Sequence, residues 1–527
     1  MSSSTSTHHF SPIQHLPLAT FYTSIAISGL TLFLLCTLYG GWHYSYIQNN
    51  DLFMPFIGHK LALASPPNVT TNTPTNINNI MFVLVGSIRT WKYRKSYIEA
   101  WWRENKTRGN IWLDVDPTQE LLPWPSSSPP FRVNEDIRNL KVYPKLVSPV
   151  QVRIYRSVLE TFRLGDNKDV RWFVMADDDT LIFLDNLVEV LGKYDHTKYY
   201  YIGTNSECIQ SNYDFSFHMG YGGAGYALSY ALVEALASRI DGCIERYPHL
   251  YVSDYLSHSC SADLGADLTI EKGMHQIDLH GDISGLLSSH PNTPLLTLHH
   301  FDFIDPIFPS KNSTESVNHL MKAANVDQSR LLQQTICYHR QTNWTFSLSW
   351  GYSVHIYETI FPRSILRKPL ETFQPWKKVP PPLYMFNTRW PTNDPCEAPH
   401  VFFMETVQSS EGSNELLTSY TRSSPRNLPV CSLGGNHSAD SVVNIQVFSP
   451  ATGRKEVVKS ENDPVTGCML GVNIYLILGW SCYFYIIYFL FGILQAERIE
   501  CCDVDYMADK GIAEVKLRAC MKGEMLA

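Results

Sequence analysis

Asp177, Asp178 and Asp179 stand in a row at the end of the apolar run Trp172-Phe173-Val174-Met175-Ala176. Carboxylates placed in this way suit metal chemistry. Two of them two residues apart, Asp177 and Asp179, can hold a divalent cation, and hard oxygen ligands favour Mn²⁺ or Mg²⁺. Such a cation neutralises a diphosphate. A buried strand that stops on acids sets them at the carboxyl edge of a sheet, where open α/β folds bind their ligands. An acidic surface turn is the plain alternative for the run by itself. About 45 residues further on comes Tyr221-Gly222-Gly223-Ala224-Gly225-Tyr226, leading toward a helix. Gly222, Gly223 and Gly225 let backbone come close to a ligand. With Asp177 and Asp178 they form the expected ligand-binding set; a tight turn before a helix is the simpler reading of the glycines alone.

The elements that must hold these residues alternate between two periods. Residues 80–85 are an apolar run closed by Gly86, as in a buried strand. Residues 91–103 show helical spacing, with Tyr93, Tyr97, Ile98 and Trp101 on one side. A second helix covers 150–164, with Val152, Tyr155, Val158, Leu159 and Phe162 as its apolar stripe. Residues 172–176 form the strand that presents the aspartates. Residues 187–191 lie on a helix that Asp185 or Asn186 caps. Residues 199–202 form another strand, and 230–240 another helix. Strand–helix alternation predicts an α/β fold with a mainly parallel central sheet covered on both faces.

Composition frames this core. A chain of 527 residues exceeds one ordinary domain. Its net charge of −8 gives no reason to expect nucleic acid as a partner. No Lys, Arg, Asp or Glu precedes Asp51, and residues 16–39 are largely apolar, long enough to cross a bilayer core. The stretch is long for a cleaved signal peptide and lacks a small-residue cleavage site, so an uncleaved transmembrane signal anchor is expected, with 1–15 as a cytosolic tail. Residues 40–79, rich in Asn, Thr and Pro, read as a stem. Sequons at Asn68, Asn105, Asn312, Asn343 and Asn436 fit lumenal exposure of everything after the anchor. Cys208, Cys243, Cys260, Cys337, Cys396 and Cys431 are disulfide candidates whose pairing spacing does not reveal.

The segments Arg171-Trp172-Phe173-Val174-Met175-Ala176-Asp177-Asp178-Asp179-Thr180 and Gly222-Gly223-Ala224-Gly225-Tyr226 together resemble the fringe-like branch of the β-1,3-glycosyltransferases. The likeness is closer still to the plant fringe-related group, long catalogued as a domain of unknown function. Leu296-Thr297-Leu298-His299-His300-Phe301-Asp302 and Gln334-Thr335-Ile336-Cys337-Tyr338 are among the further stretches that match. The resemblance runs from Ile80 to about Val447. It implies a GT-A-type nucleotide-sugar-binding fold over 80–310 and a C-terminal extension over 311–448. It further implies a single-pass type II Golgi membrane protein that uses Mn²⁺ (or Mg²⁺) and a UDP-sugar donor, and transfers the sugar with inversion to a carbohydrate or glycoprotein acceptor. A histidine from the C-terminal half completes the metal site in this superfamily. His299, at the end of a strand-like run, is the expected ligand, with His300 and His275 as rivals.

Two departures stand out. Where relatives carry two consecutive acids this chain reads Ser253-Asp254-Tyr255, so Asp254 alone is left as the expected catalytic base. Loss of the second acid makes a weakly active or inactive glycan-binding scaffold the alternative function. The other departure is 449–495, whose residues 469–494 are nearly charge-free and apolar. Family-like sequence resumes in the tail, 496–527, so the insert reads as translated intron sequence or a gene-model artefact, with a second transmembrane segment as the alternative.

Overall fold

The structure, a computed structural model, describes residues 73–409, 414–431, 438–451 and 500–521. The expected anchor at 16–39, the stem up to residue 72 and the apolar stretch at 469–494 lie outside the described residues. Among the described residues no helix is long and apolar enough to cross a membrane.

A seven-stranded sheet carries the acidic run. Its strands are β1 (Ile80–Val85), β2 (Arg108–Leu113), β3 (Phe131–Val133), β4 (Trp172–Asp177), β6 (Tyr201–Gly203), β7 (Tyr226–Ser229) and β8 (Leu268–Ile270), in the order β3-β2-β1-β4-β7-β6-β8. Pairing is parallel except on the two sides of β7, which runs against β4 and β6. The sheet is therefore mainly parallel, as the alternation of elements predicts. Both faces are covered. In β1, Ile80, Phe82 and Leu84 enter one apolar cluster, while Met81, Val83 and Val85 enter another on the opposite face. Each such side chain gains roughly 1.5–3 kcal/mol on leaving water, which is why the run has no polar member.

Several elements differ from their sequence expectation. The first helix is Ile88–Glu99, and Tyr93 is 74% exposed rather than on the buried face. The helix Leu184–Leu191 starts before both expected caps. Asp185 lies in its first turn, and Asn186 points inward to donate to the carbonyls of Leu295 and Gln328. The expected helix 230–240 is two, Tyr230–Ala237 and Ile240–Arg246.

Two short pairings brace the site from outside the main sheet. β5 (Leu181–Ile182) pairs antiparallel with β10 (Thr297–Leu298), and β9 (Leu279–Gly281) with β14 (Phe373–Pro375). The C-terminal half builds a second sheet of eight strands. These are β11 (Gln334–His339), β12 (Trp344–Ser349), β13 (Ser353–Tyr357), β15 (His400–Ser409), β16 (Glu415–Arg422), β17 (Asn444–Pro450), β18 (Cys501–Met507) and β19 (Ile512–Arg518). The tail is part of this sheet: β19 lies parallel to β17 and antiparallel to β18. The disulfide Cys337–Cys502 binds the tail covalently to β11 and Cys501–Cys520 closes the tail on itself, while Cys243–Cys260 joins the helices Ile240–Arg246 and Ser253–Ala262 and Cys396–Cys431 staples a loop. Cys208, a sequence candidate for pairing, is buried and free. The sequence alone pointed to neither the second sheet nor the role of the tail in it.

Candidate metal and active site

β4 ends at Asp177, and the chain turns through Asp178 and Asp179 before entering β5. Thr180 fixes that turn. Its hydroxyl accepts from the Asp177 N–H at 3.1 Å and donates to the Gly223 carbonyl at 2.7 Å, tying the acidic run to the glycine loop. The β5–β10 register pairs Leu298 with Leu181, so the next residue, His299, emerges beside the turn. One ligand atom each from Asp177, Asp179 and His299 lies within 4.8 Å of the others. His299 Nε2 is 3.1 Å from Asp179 Oδ1 and 3.8 Å from Asp177 Oδ2. Its Nδ1 sits 3.2 Å from the Gln276 carbonyl and donates to it, which turns Nε2 toward the carboxylates. The rival histidines face elsewhere: His300 toward Asp278 at 3.3 Å, and His275 toward Glu207 at 3.1 Å.

Asp179 is fully buried, yet neither of its carboxylate oxygens accepts a well-formed hydrogen bond. Its near partners are charges, His299 and the Arg94 guanidinium at 3.2 Å from Oδ2. One carboxylate oxygen each from Asp177 and Asp179 and an imidazole nitrogen from His299 make a hard O/N donor set that fits Mn²⁺ or Mg²⁺. Arg94 also reaches Asp178 at 3.1 Å and Asp302 at 2.8 Å, and Tyr97 donates to Asp302. Thr90 donates to Asp178 as well. Thus Asp178 is held by the helix Ile88–Glu99, outside the three-ligand group. Sequence reasoning missed Thr90, Arg94 and Tyr97. The i, i+4 and i+7 spacing of these residues on one helix was the available signal.

The glycines have a closer cause than an incoming ligand. A Cβ on Gly222 would stand 2.4 Å from Asp254 Oδ1, and one on Gly223 would stand 2.1 Å from the His299 ring. Gly225 has φ +80° and closes the turn through its N–H to the Gly222 carbonyl. The loop is therefore the packing surface of two site side chains. Asp254 lies in the first turn of the helix Ser253–Ala262, whose N-cap is Val252. Instead of capping that helix, its Oδ2 accepts the Gly222 N–H at 2.8 Å. Tyr255 turns away into an aromatic group with Phe215 and His258.

Charge is concentrated here. Desolvation raises Asp177 toward about 7, with His299 opposing and Asp179, Asp254 and Asp178 adding, and because its side chain is still 40% exposed solvent screens part of that rise. Burial and the Asp179 charge raise Asp178 to about 6 against Thr90 and Arg94. Burial also raises Asp254 to about 6, against the Gly222 N–H. For Asp179 burial is outweighed by His299 and Arg94, which lower it to about 2. For His299 burial is outweighed by Asp179 and Asp177, which raise it to about 9. In metal-free protein the three raised carboxyls keep protons that the unfolded chain releases near 3.8, so stability falls as pH climbs through 6 to 7. His299 extends the loss from 6.5 toward 9, whereas the Asp179 contribution disappears only as pH drops toward 2. Metal binding needs the deprotonated ligands. The stabilisation by Mn²⁺ in thermal unfolding should therefore grow from little at about pH 5 to several degrees at about pH 8. A Mn²⁺ effect independent of pH would contradict the site.

Against known proteins, the profile of a family described as "Protein of unknown function, DUF604" matches residues 211–464, just under half of the chain. Among solved structures, the chain is similar to the mannosyltransferase PcManGT from Pyrobaculum calidifontis, in complex with GDP-Man and Mn²⁺. That likeness has 12% identity and a TM-score of 0.23, over 57% of this chain and 83% of the other. At that score it is loose, and the chemistry rests on the side chains themselves.

Proposed function

We propose that the chain is a metal-dependent glycosyltransferase that moves a sugar from a UDP-sugar to a glycan hydroxyl with inversion, forming a β-1,3 linkage. The observation that carries this reading is the grouping of Asp177, Asp179 and His299 as a ligand set, with Asp254 close enough to act on Asp177 as a separate, raised carboxyl. Asp177, Asp179 and His299 would hold Mn²⁺, which supplies Lewis-acid stabilisation of a departing diphosphate. Asp254 takes the proton of the acceptor hydroxyl as that oxygen attacks the anomeric carbon and the bond to the diphosphate oxygen breaks. With a value near 6, Asp254 is ionised at neutral pH yet basic enough to accept that proton.

Two features beside the carboxylates support donor and acceptor. A cavity of about 750 Å³ lined by Ser87, Arg89, Thr90, Lys92 and Arg94 opens at the start of the helix Ile88–Glu99. Glu120 and Asp302 line it too, with Lys92 paired to Glu120 and Arg94 to the aspartates, so Arg89 and the helix N-terminus are what the cavity offers a phosphate. On the side of the helix carrying Asp254, Phe215 packs against Tyr251 at 5.9 Å and Tyr255 at 6.4 Å, and Tyr251 is 55% exposed. Exposed aromatic faces of this kind suit the apolar faces of sugar rings. Tyr255 belongs to that group, which leaves Asp254 as the one acid of the pair.

The Golgi lumen is part of the same reading. The four disulfides among the described residues suit an oxidising compartment, and the described sequon residues Asn105, Asn312 and Asn343 are all exposed. Calorimetric titration of UDP-sugars and GDP-sugars, with and without Mn²⁺, tests the proposal. UDP-sugars should bind only with the metal. Binding of no nucleotide sugar in its presence would overturn the reading.

A further inference from the structure

The metal ligand His299 is oriented by a single carbonyl, that of Gln276. The peptide bond carrying this carbonyl also carries the N–H of Ile277, and a planar trans peptide points the two groups in opposite directions. The N–H end donates to Glu207 Oε2 at 2.7 Å. The other oxygen of Glu207 holds His275 Nδ1 at 3.1 Å. One buried carboxylate therefore brackets residue 276 from both sides, touching the residue before it and the residue after it.

The bracketed segment is not in a conformation it would choose. Ile277 has φ +56°, a left-handed backbone that β-branched residues rarely adopt, and such a residue persists only where its surroundings over-determine it. Those surroundings are explicit. Gln276 Oε1 accepts the Ala224 N–H at 2.7 Å, tying the segment to the glycine loop. Asp278 accepts from the Ser206 hydroxyl at 2.6 Å, and the Ile277 carbonyl lies 3.2 Å from His300 Nδ1. Ser206 and Glu207 are neighbours, so one short stretch of chain grips both ends of the segment. Without the Glu207 carboxylate a buried N–H would lose its partner and Ile277 could relax. The peptide would then rotate and carry the Gln276 carbonyl away from His299.

We propose that Glu207 is a positioning residue for the metal site, holding and polarising the 276–277 peptide so that His299 presents Nε2 to the cation. A negative charge at the N–H end makes the carbonyl at the other end a stronger acceptor, which keeps the proton on Nδ1 and strengthens Nε2 as a donor to metal. The inference rests on the metal-dependent reading of the site and adds a residue that touches neither metal nor substrate.

The test is Mn²⁺ alone, titrated into full-length protein and followed by calorimetry or by loss of the free-ion paramagnetic resonance signal. Glu207→Ala should raise the Mn²⁺ Kd by about 10–100-fold, the usual effect of removing such an outer partner. Glu207→Gln keeps one acceptor for the Ile277 N–H and should recover part of the loss. In a His299→Ala background the same Glu207 substitutions should add almost nothing, because their effect travels through His299. A shift below about twofold in both Glu207 variants, or an equal shift with His299 absent, overturns the proposal. Should Glu207→Ala fail to fold, Glu207→Gln carries the same criteria. Wild-type protein that binds no Mn²⁺ overturns the metal reading itself, a result distinguishable from wild-type binding that the Glu207 variants leave unchanged.

Discussion

Replacing Asp179 with asparagine is expected to abolish Mn²⁺-dependent nucleotide binding while leaving a cooperatively folded protein. Asp179 is the one residue of the site whose two carboxylate oxygens are both buried and both without a well-formed hydrogen bond. Buried polar atoms in native proteins are nearly always satisfied, so a carboxylate whose oxygens meet only the charges of His299 and Arg94, beside Asp177, has the character of a ligand position. The amide is close to isosteric, and Arg94 retains Asp178 and Asp302, so packing survives the change. What is lost is a hard anionic ligand and with it most of the affinity for a hard cation. That should weaken UDP binding in the presence of Mn²⁺ by about 100-fold or more, consistent with the several kcal/mol a bound metal contributes. Titration calorimetry of UDP with Mn²⁺ reads this directly. An affinity within threefold or so of wild type would remove Asp179 from the metal site.

The second large effect concerns the base. Asp254→Asn should lower turnover by about 10²–10⁴-fold while leaving Mn²⁺ and UDP binding close to wild type. The substituted side chain still offers an oxygen to the Gly222 N–H, so the loop geometry stays. Only proton acceptance is lost. The rate of the unmodified protein should accordingly rise with pH through about 6, because burial raises Asp254 to that value and the base works only when deprotonated. Tyr255→Asp separates this assignment from the one in which the missing second acid was the base. Tyr255 packs on Phe215 and His258, so a new acid there loses aromatic packing, whereas Asp254 is the acid that bonds the glycine loop. No increase in turnover is expected. An increase would move the base from position 254 to position 255.

Much of what surrounds these residues was legible without a structure. The run from Trp172 to Ala176 has no polar member, and strands buried on both faces read in that way, so a central strand ending on acids followed from local pattern. The alternation of strands with helices led to a mainly parallel sheet for the same reason: each element's period is a property of its own few residues. Helix ends were less legible. Asn186 looks like a cap by residue type, yet the structure uses it as a buried donor to Leu295 and Gln328, partners that lie far off in the sequence.

The site itself is a product of tertiary structure. Asp179, Asp254 and His299 come from three separate stretches, and it is the β5–β10 register that sets His299 beside the aspartates while His275 and His300 turn to Glu207 and Asp278. The glycines announced a close approach, but only packing shows that Asp254 and His299 are what approach them. The same holds for the tail, whose strands join β17 and whose cysteines pair with Cys337 and with each other. Around the acidic run the sequence by itself determined most of the strands and helices and which of them carry acids, since periodicity and burial preference are local, whereas the second sheet escaped it. Which acid, which histidine and which cysteine meet was decided by long-range pairing alone, because no residue's type or spacing encodes the partner that the folded chain brings to it.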